Sequence, residues 1–216
     1  MNRSLTTASL VGGALLAVGT GAAAQSSQVV NNCVIRPGTL CVEMNLRGSR
    51  LEGADLAYSD FSFTDLSGAN LRSANLKEAN MNQVNLTGAQ LEGASLRSAD
   101  LARATLDRAH LDGADLTDAN LLSAGLDAAS LDDSRLRGAN LSGANLRGAT
   151  LRGAHLQRAN FRGARMRGAI LTGADLTGTN FESADLRGAD LSGARLSRTR
   201  FAAALTAGCV GCPPPR

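Results

Sequence analysis

Tryptophan is absent from the chain and the other aromatic residues are scarce, one tyrosine and five phenylalanines in 216 residues. A globular core filled with bulky rings is therefore excluded, and the interior has to be assembled from small units. No stretch beyond the first 24 residues reaches the length of about 18 apolar residues that a membrane-spanning helix needs. Histidine occurs twice and cysteine four times, with no cysteine between Cys41 and Cys209. Charge of one sign is lacking as well, because 22 basic residues face 19 acidic ones. That balance excludes both a strong polyanion and a strong polycation.

The beginning of the chain reads as a transient leader. Arg3 supplies a positive start, Leu5 to Val18 a short apolar stretch, and Ala22-Ala23-Ala24 a small-residue cleavage site. Cleavage before Gln25 is expected, with export to the periplasm or the medium. Without Arg3 the mature chain carries 21 basic and 19 acidic residues, a formal charge of +2.

What fills the rest is a period of five. In "LRGANLSGANLRGATLRGAHL", residues 136–156, leucine returns at every fifth position. A helix turns about 100° per residue, so a step of five rotates each leucine by roughly 140° and smears it around the surface. A flat strand alternates faces with period two, and an odd step sends successive leucines to opposite sides. The pattern is consistent only with a chain that bends once per pentad by a constant amount, which makes a coil. From Leu46 to Phe201 there are 32 such centres, all Leu except Phe61, Phe161, Phe181, Phe201, Met81 and Met166. Two residues before the centre stands Ala, the exceptions being Met44, Ser49, Ser59, Thr64, Val84, Ser134, Thr179 and Thr199. Glycine two residues after it, as at Gly138 or Gly143, suits a tight bend.

The units "ANLSG", "ADLTG", "ANLRG" and "ADLRG" resemble the A(D/N)LXX repeat of the pentapeptide-repeat proteins, over about residues 44–203. The resemblance implies an all-β fold, a right-handed quadrilateral β-helix with four pentads per coil and the centre and the preceding Ala pointing inward. The 32 pentads then make about eight coils, a rod roughly 38 Å long at about 4.8 Å per coil. Four pentads per coil demand that centres 20 residues apart share a face. Phe61, Met81, Phe161, Phe181 and Phe201 all fall on one. On that face the residue before the centre reads Asp60, Asn80, Asp100, Asn120, Asn140, Asn160, Asn180 and Arg200, a ladder suited to hydrogen-bonding the turns. The expected organisation is a leader over 1–24, an N-terminal cap over 25–45, repeats over 46–203 and a tail over 204–216.

Cys33 and Cys41 precede the repeats, and Cys209 and Cys212 follow them. Export permits disulfides, and a rod of this length keeps the ends too far apart to bridge. Unless a tail folds back, the pairs are Cys33–Cys41 and Cys209–Cys212. A redox role for Cys209-Val-Gly-Cys212 is the weakest functional reading, since three prolines follow instead of the helix that would stabilise a thiolate. The other reading of this pair is structural or idle.

His110 and His155 lie 45 residues apart on adjacent faces, too far to share a metal, and stand where the repeat otherwise places Asn or Asp. No nucleophile stands with a base, so no catalytic residue, metal site or cofactor is expected. Asn85-Leu-Thr87 and Asn140-Leu-Ser142 match a glycosylation sequon that the repeat generates by itself.

Residues 107–133 hold seven Asp against Arg108, while 134–174 hold eight Arg (135, 137, 147, 152, 158, 162, 165, 167) and no acid. These arginines are distributed over all four faces without interleaved aromatics, which favours a solvated surface over a nucleic-acid belt. The function expected is a non-catalytic exported rod that binds a protein or an envelope component, a homodimer being left open. The alternative implied by the resemblance is a DNA-mimicking topoisomerase binder, which the charge of +2 and export disfavour. Over the two positions after each centre, the Leu46, Leu51 and Leu56 faces each carry seven charged residues in 16, and the Phe61 face three, Arg103, Arg162 and Glu182. Phe63, Leu122, Ser142 and Arg162 on that face are the candidate contact residues. The same count is equally open to a face that drifted neutral without use.

Overall fold

The structure, a computed structural model, describes residues 28–214. The leader expected over 1–24 and the cleavage site before Gln25 lie outside the described residues. From Leu40 to Val210 the backbone forms parallel bridges between residues 20 apart, starting with Leu40↔Asp60 and ending with Asp190↔Val210, without a slip. Each coil is thus four pentads, and the coil lies directly on the one before it. Successive parallel segments joined in this way wind to the right.

One pentad shows why the chain bends. The centre carbonyl of Leu46 accepts the amide of Ser49 at 3.1 Å, closing a turn whose third residue, Gly48, has φ 63°. A positive φ there is the mark of a type II turn. Between coils, the amide of Leu46 donates to Asp65 at 2.7 Å and that of Gly48 to Ser67 at 2.9 Å. In the next pentad up the Leu46 face, the amide of Asp65 also donates back to Met44 at 2.9 Å, so an interior pentad makes three ladder bonds and one turn bond and satisfies its backbone without any long strand.

The interior is a column of layers. The centres from Leu46 to Leu191 are essentially inaccessible, and the Ala residues two before them fill the corners. Most polar exceptions at the corner position find a backbone carbonyl, while the buried Ser49 hydroxyl is left without a partner. The Ser134 hydroxyl donates to the Leu131 carbonyl at 2.6 Å, the Thr179 hydroxyl to Leu156 at 2.8 Å, and the Thr64 hydroxyl to Cys41. On the Phe61 face the ring centroids of Phe161 and Phe181 are 5.2 Å apart and those of Phe181 and Phe201 5.4 Å.

The coil runs further at both ends than the repeat pattern indicates. Cys41 takes a centre position and is fully buried, and Cys209 takes a corner position. Their identity hides them, because a search for Leu, Phe or Met at the centre stops at Leu46 and Phe201. At the start, β1 (Gln28–Val30) and β2 (Cys33–Ile35) form an antiparallel hairpin. Asn31 and Asn32 have φ 47° and 67°, the two positive values of a type I′ turn. Cys33 is bonded to Cys41, Cα–Cα 5.5 Å, which ties the hairpin to the first buried layer. The Asn31 amide donates to the Asn45 carbonyl at 2.8 Å and the Gln28 amide to Arg50 at 3.3 Å. The hairpin therefore caps the first coil, hiding its apolar layer and occupying carbonyls that have no earlier coil to meet.

The other end is more open. Leu196, Phe201 and Ala204 are only partly buried, and with Pro213 and Pro214 they line a cavity of about 520 Å³. Cys209 is bonded to Cys212, Cα–Cα 5.7 Å. Between them Gly211 has φ 75°, and a Cβ there would stand 2.8 Å from the Leu191 backbone, so both the conformation and the close approach require glycine.

Candidate interaction face

The Phe61 face is the most ordered of the four. Each Asx residue of its ladder accepts the backbone amide two residues on, from Ser62 at 2.9 Å, Asn82 at 3.2 Å, Ala102 at 3.1 Å, Leu122 at 3.3 Å, Ser142 at 3.2 Å, Arg162 at 3.1 Å and Glu182 at 3.1 Å. The ladder also bonds to itself along the rod. The Asn120 amide donates to Asp100 at 2.8 Å, Asn140 to Asn120 at 3.3 Å and Asn180 to Asn160 at 3.3 Å. Side chains held at both ends leave a flat surface with little left to reorganise when something docks.

Of the three charges at the positions after its centres, two pair with each other. Arg162 Nη2 lies 3.7 Å from Glu182 Oε1, which leaves Arg103 as the remaining charged residue of the three. At its N-terminal end, burial pushes the Asp60 carboxyl up, but hydrogen bonds from the Ser62 hydroxyl and amide and from Asn80 outweigh this and hold it below the ordinary value.

Phe63 (53% exposed) and Leu122 (42%) point outward as the sequence indicates. They do not form one patch, being three coils apart with Asn82, Gln83, Ala102 and Arg103 on the coils between. Ser142 lies on the coil after Leu122, its hydroxyl donating to Asn140 at 2.7 Å. The structure adds Leu40 (77% exposed) and Val42 to the same face, in the extra coil that the repeat pattern misses. Tyr58, next to the corner, is exposed too, with Lys77 Nζ 5.7 Å from its ring centroid. Phe63 and Tyr58 hold φ 59° and 61° at the turn position, which the rod fills with glycine or with other residues such as Ser73, Gln83 and Arg103 at similar positive values.

The remaining candidates stay apart. His110 and His155 sit in neighbouring ladders, bridged to Gln90 and Ser130 and to Arg135 and Asp175 respectively. Among the described residues no group of three or more His, Cys, Asp or Glu is placed to hold a metal, and no helix is long and apolar enough to cross a membrane.

Carboxylates on the other three faces couple the stability of the rod to pH. Two hydrogen bonds from the Arg187 guanidinium, at 2.7 and 2.6 Å, hold Asp185 down at about 2. Asp65, Asp115, Asp175 and Asp190 are shifted in the same direction. A lowered folded value contributes stability that is present above the unfolded value near 3.8 and is lost as pH falls towards about 2. The melting temperature is therefore expected to decline from pH 4 to pH 2 and to decline less steeply in Asp185→Asn. A melting temperature flat over that interval contradicts the assignment.

A stacked, four-sided coil of pentads with a buried apolar residue, mostly Leu or Phe, at its centres defines the class of right-handed quadrilateral β-helices. A family model described as pentapeptide repeats matches in eight copies, over residues 41–72, 64–101, 85–121, 94–133, 129–168 and 164–202. The chain belongs to the pentapeptide repeat family. Among solved structures, a trypsin-treated variant of QnrB1, a plasmid-mediated fluoroquinolone resistance protein, is similar at TM-score 0.66 and 23% identity, covering 81% of this chain and 90% of that one. HetL, a pentapeptide repeat protein involved in heterocyst differentiation regulation in the cyanobacterium Nostoc sp., is 33% identical over 80% of this chain and 87% of its own, at TM-score 0.42. No curated protein matches the chain.

Proposed function

We propose that this chain is an exported, non-catalytic rod that docks a partner protein or envelope component side-on against its Phe61 face. The observation that carries the reading is the charge count, three residues in 16 positions against seven on each of the other faces, with two of the three paired to each other. Depletion of charge is what separates the core of a protein contact from ordinary surface. The outward Leu40, Val42, Phe63 and Leu122 supply apolar area on this face, and the hydrogen-bonded Asx ladder keeps it flat. Export rests on the leader-like residues 1–24, and the absence of a nucleophile–base pair in the sequence supports a role in binding without turnover.

The test is crosslinking in the exported compartment, with the captured chain sequenced from its N-terminus. It is expected to begin at or within a few residues of Gln25. Leu122→Glu with Ser142→Glu is expected to abolish the crosslink. The same change at Thr172 and Ser192 on the Leu51 face is expected to leave it intact. Equal loss from both pairs, or none from either, rejects this face as the contact surface, and a full-length chain found in the cytosol rejects export.

A further inference from the structure

The eight arginines of residues 134–174 are spread over the faces in the sequence, but the fold gathers some of them. Arg147, Arg167 and Arg187 follow their centres by one residue on the Leu46 face, so they stand on three consecutive coils, about 4.8 Å apart along the rod. Arg165 precedes the centre of the middle coil and is bridged to Asp185 on the next. These four arginines and Asp185 line one surface depression of about 400 Å³. Beside the arginine row run Gly148, Gly168 and Gly188, with no atom within 4 Å of where a Cβ would stand.

The charges in this depression do not cancel. Six cations elsewhere on the rod meet an acid within 4.0 Å, among them Arg72–Glu92 at 3.0 Å, Arg97–Asp115 at 3.2 Å and Arg152–Asp132 at 3.1 Å. Here the one carboxylate, Asp185, is taken up by Arg187, whose Nε and Nη2 lie 2.7 and 2.6 Å from it. Among the described residues no carboxylate oxygen lies within 4.0 Å of Arg147, Arg165 or Arg167. Asp127, one coil before Arg147 in the same row, donates its backbone amide to Asp107 and makes no ion pair at that distance. The chain outside the described residues contains no Asp or Glu that could supply one. Three uncompensated guanidinium groups within a Debye length of one another repel, and each is a planar fork of donors matched to a tetrahedral oxyanion.

We propose that the depression lined by Arg147, Arg165, Arg167 and Arg187 is a binding site for a phosphate-type oxyanion. The Asp185–Arg187 pair forms one rim and holds that arginine still. The other three converge on the anion. Free phosphates in solution and the headgroup of an anionic lipid share this chemistry.

The experiment measures binding of inorganic pyrophosphate by titration calorimetry. In parallel, it measures binding to phosphatidylcholine vesicles with and without phosphatidic acid, at 0.1 M salt. Arg147→Gln/Arg165→Gln/Arg167→Gln is compared with Arg47→Gln/Arg50→Gln/Arg103→Gln, a triple change of equal charge outside the cluster. Saturable binding to either probe is expected, weakened at least tenfold by the first triple and less than twofold by the second. Binding to pyrophosphate assigns the source to solution and binding only to phosphatidic acid vesicles assigns it to a membrane surface. In the absence of probe the first triple is expected to melt no lower than the parent, because like charges have been removed. Overturning results are no saturable binding to either probe, or equal weakening by both triples, which reduces the effect to net charge.

Discussion

Leu121→Asp is expected to lower the melting temperature by more than about 10 °C and to break the rod near its middle. Leu121 is fully buried, and its amide donates to Asn140 on the next coil at 2.7 Å. Truncating a buried leucine costs about 2–5 kcal/mol, and a carboxylate adds the further cost of entering a dry interior or of being protonated to do so. At about 2–4 °C per kcal/mol for a chain of this size, a loss near 5 kcal/mol gives the stated shift. Because each coil contacts only its neighbours, the damage is local, and limited proteolysis is expected to cut near the substituted coil and leave two protected halves. Leu121→Ala is expected to give a smaller shift without the central cut. A melting temperature within a degree or two of the parent, or a mostly helical circular dichroism spectrum, contradicts the fold.

Phe181→Ala is expected to be the second most damaging change, at about 3–5 kcal/mol. Its ring is packed against Phe161 on one side and Phe201 on the other, at 5.2 and 5.4 Å, and both contacts go at once. Phe201→Ala is expected to cost less than half as much, since that ring lies in the last layer and is already partly exposed. A double-mutant cycle is expected to show coupling of about 0.5–1.5 kcal/mol between Phe161 and Phe181 and none between Phe61 and Phe161, which are five coils apart. If Phe201→Ala proves as costly as Phe181→Ala in denaturant melts, the C-terminal layer is covered in solution and the open end described above is wrong.

The parts of this molecule that repeat were legible because repetition constrains the chain many times over. The Phe column and the Asx ladder each recur at a step of 20, and a ring stacked on a ring or an amide on an amide leaves that step in the sequence. The N-terminal hairpin was not legible in the same way. Its signal is a single dipeptide, Asn31-Asn32, whose two positive φ values reveal a turn only once β1 and β2 are seen to pair. Cys41 escaped notice as a centre because it fills a leucine's place while also holding Cys33. The exposed group at the start of the Phe61 face was legible only in part. Phe63 lies within the recognised repeats, but Leu40 and Val42 belong to a coil that no leucine announces.

By itself the sequence determined the period, the identity of nearly every buried side chain and the face least burdened with charge, and the resemblance carried by its repeats implied the four-sided coil. These are local properties, since a five-residue unit with one apolar centre and one small corner residue can bury them in a single arrangement, stacked on copies of itself. Only the tertiary structure decided where the coil begins and ends, how the hairpin caps it, and which charges meet. Most ion pairs join residues 18–20 apart, and a nearer partner such as Arg187 for Asp185 can win the competition. Asp132 accepts Arg152 and Asp185 is taken by Arg187, while Arg147, Arg165 and Arg167 are left together around one depression. Charge counted along the chain cannot distinguish these outcomes, because the coil folds the count into four columns and each column balances, or fails to balance, on its own.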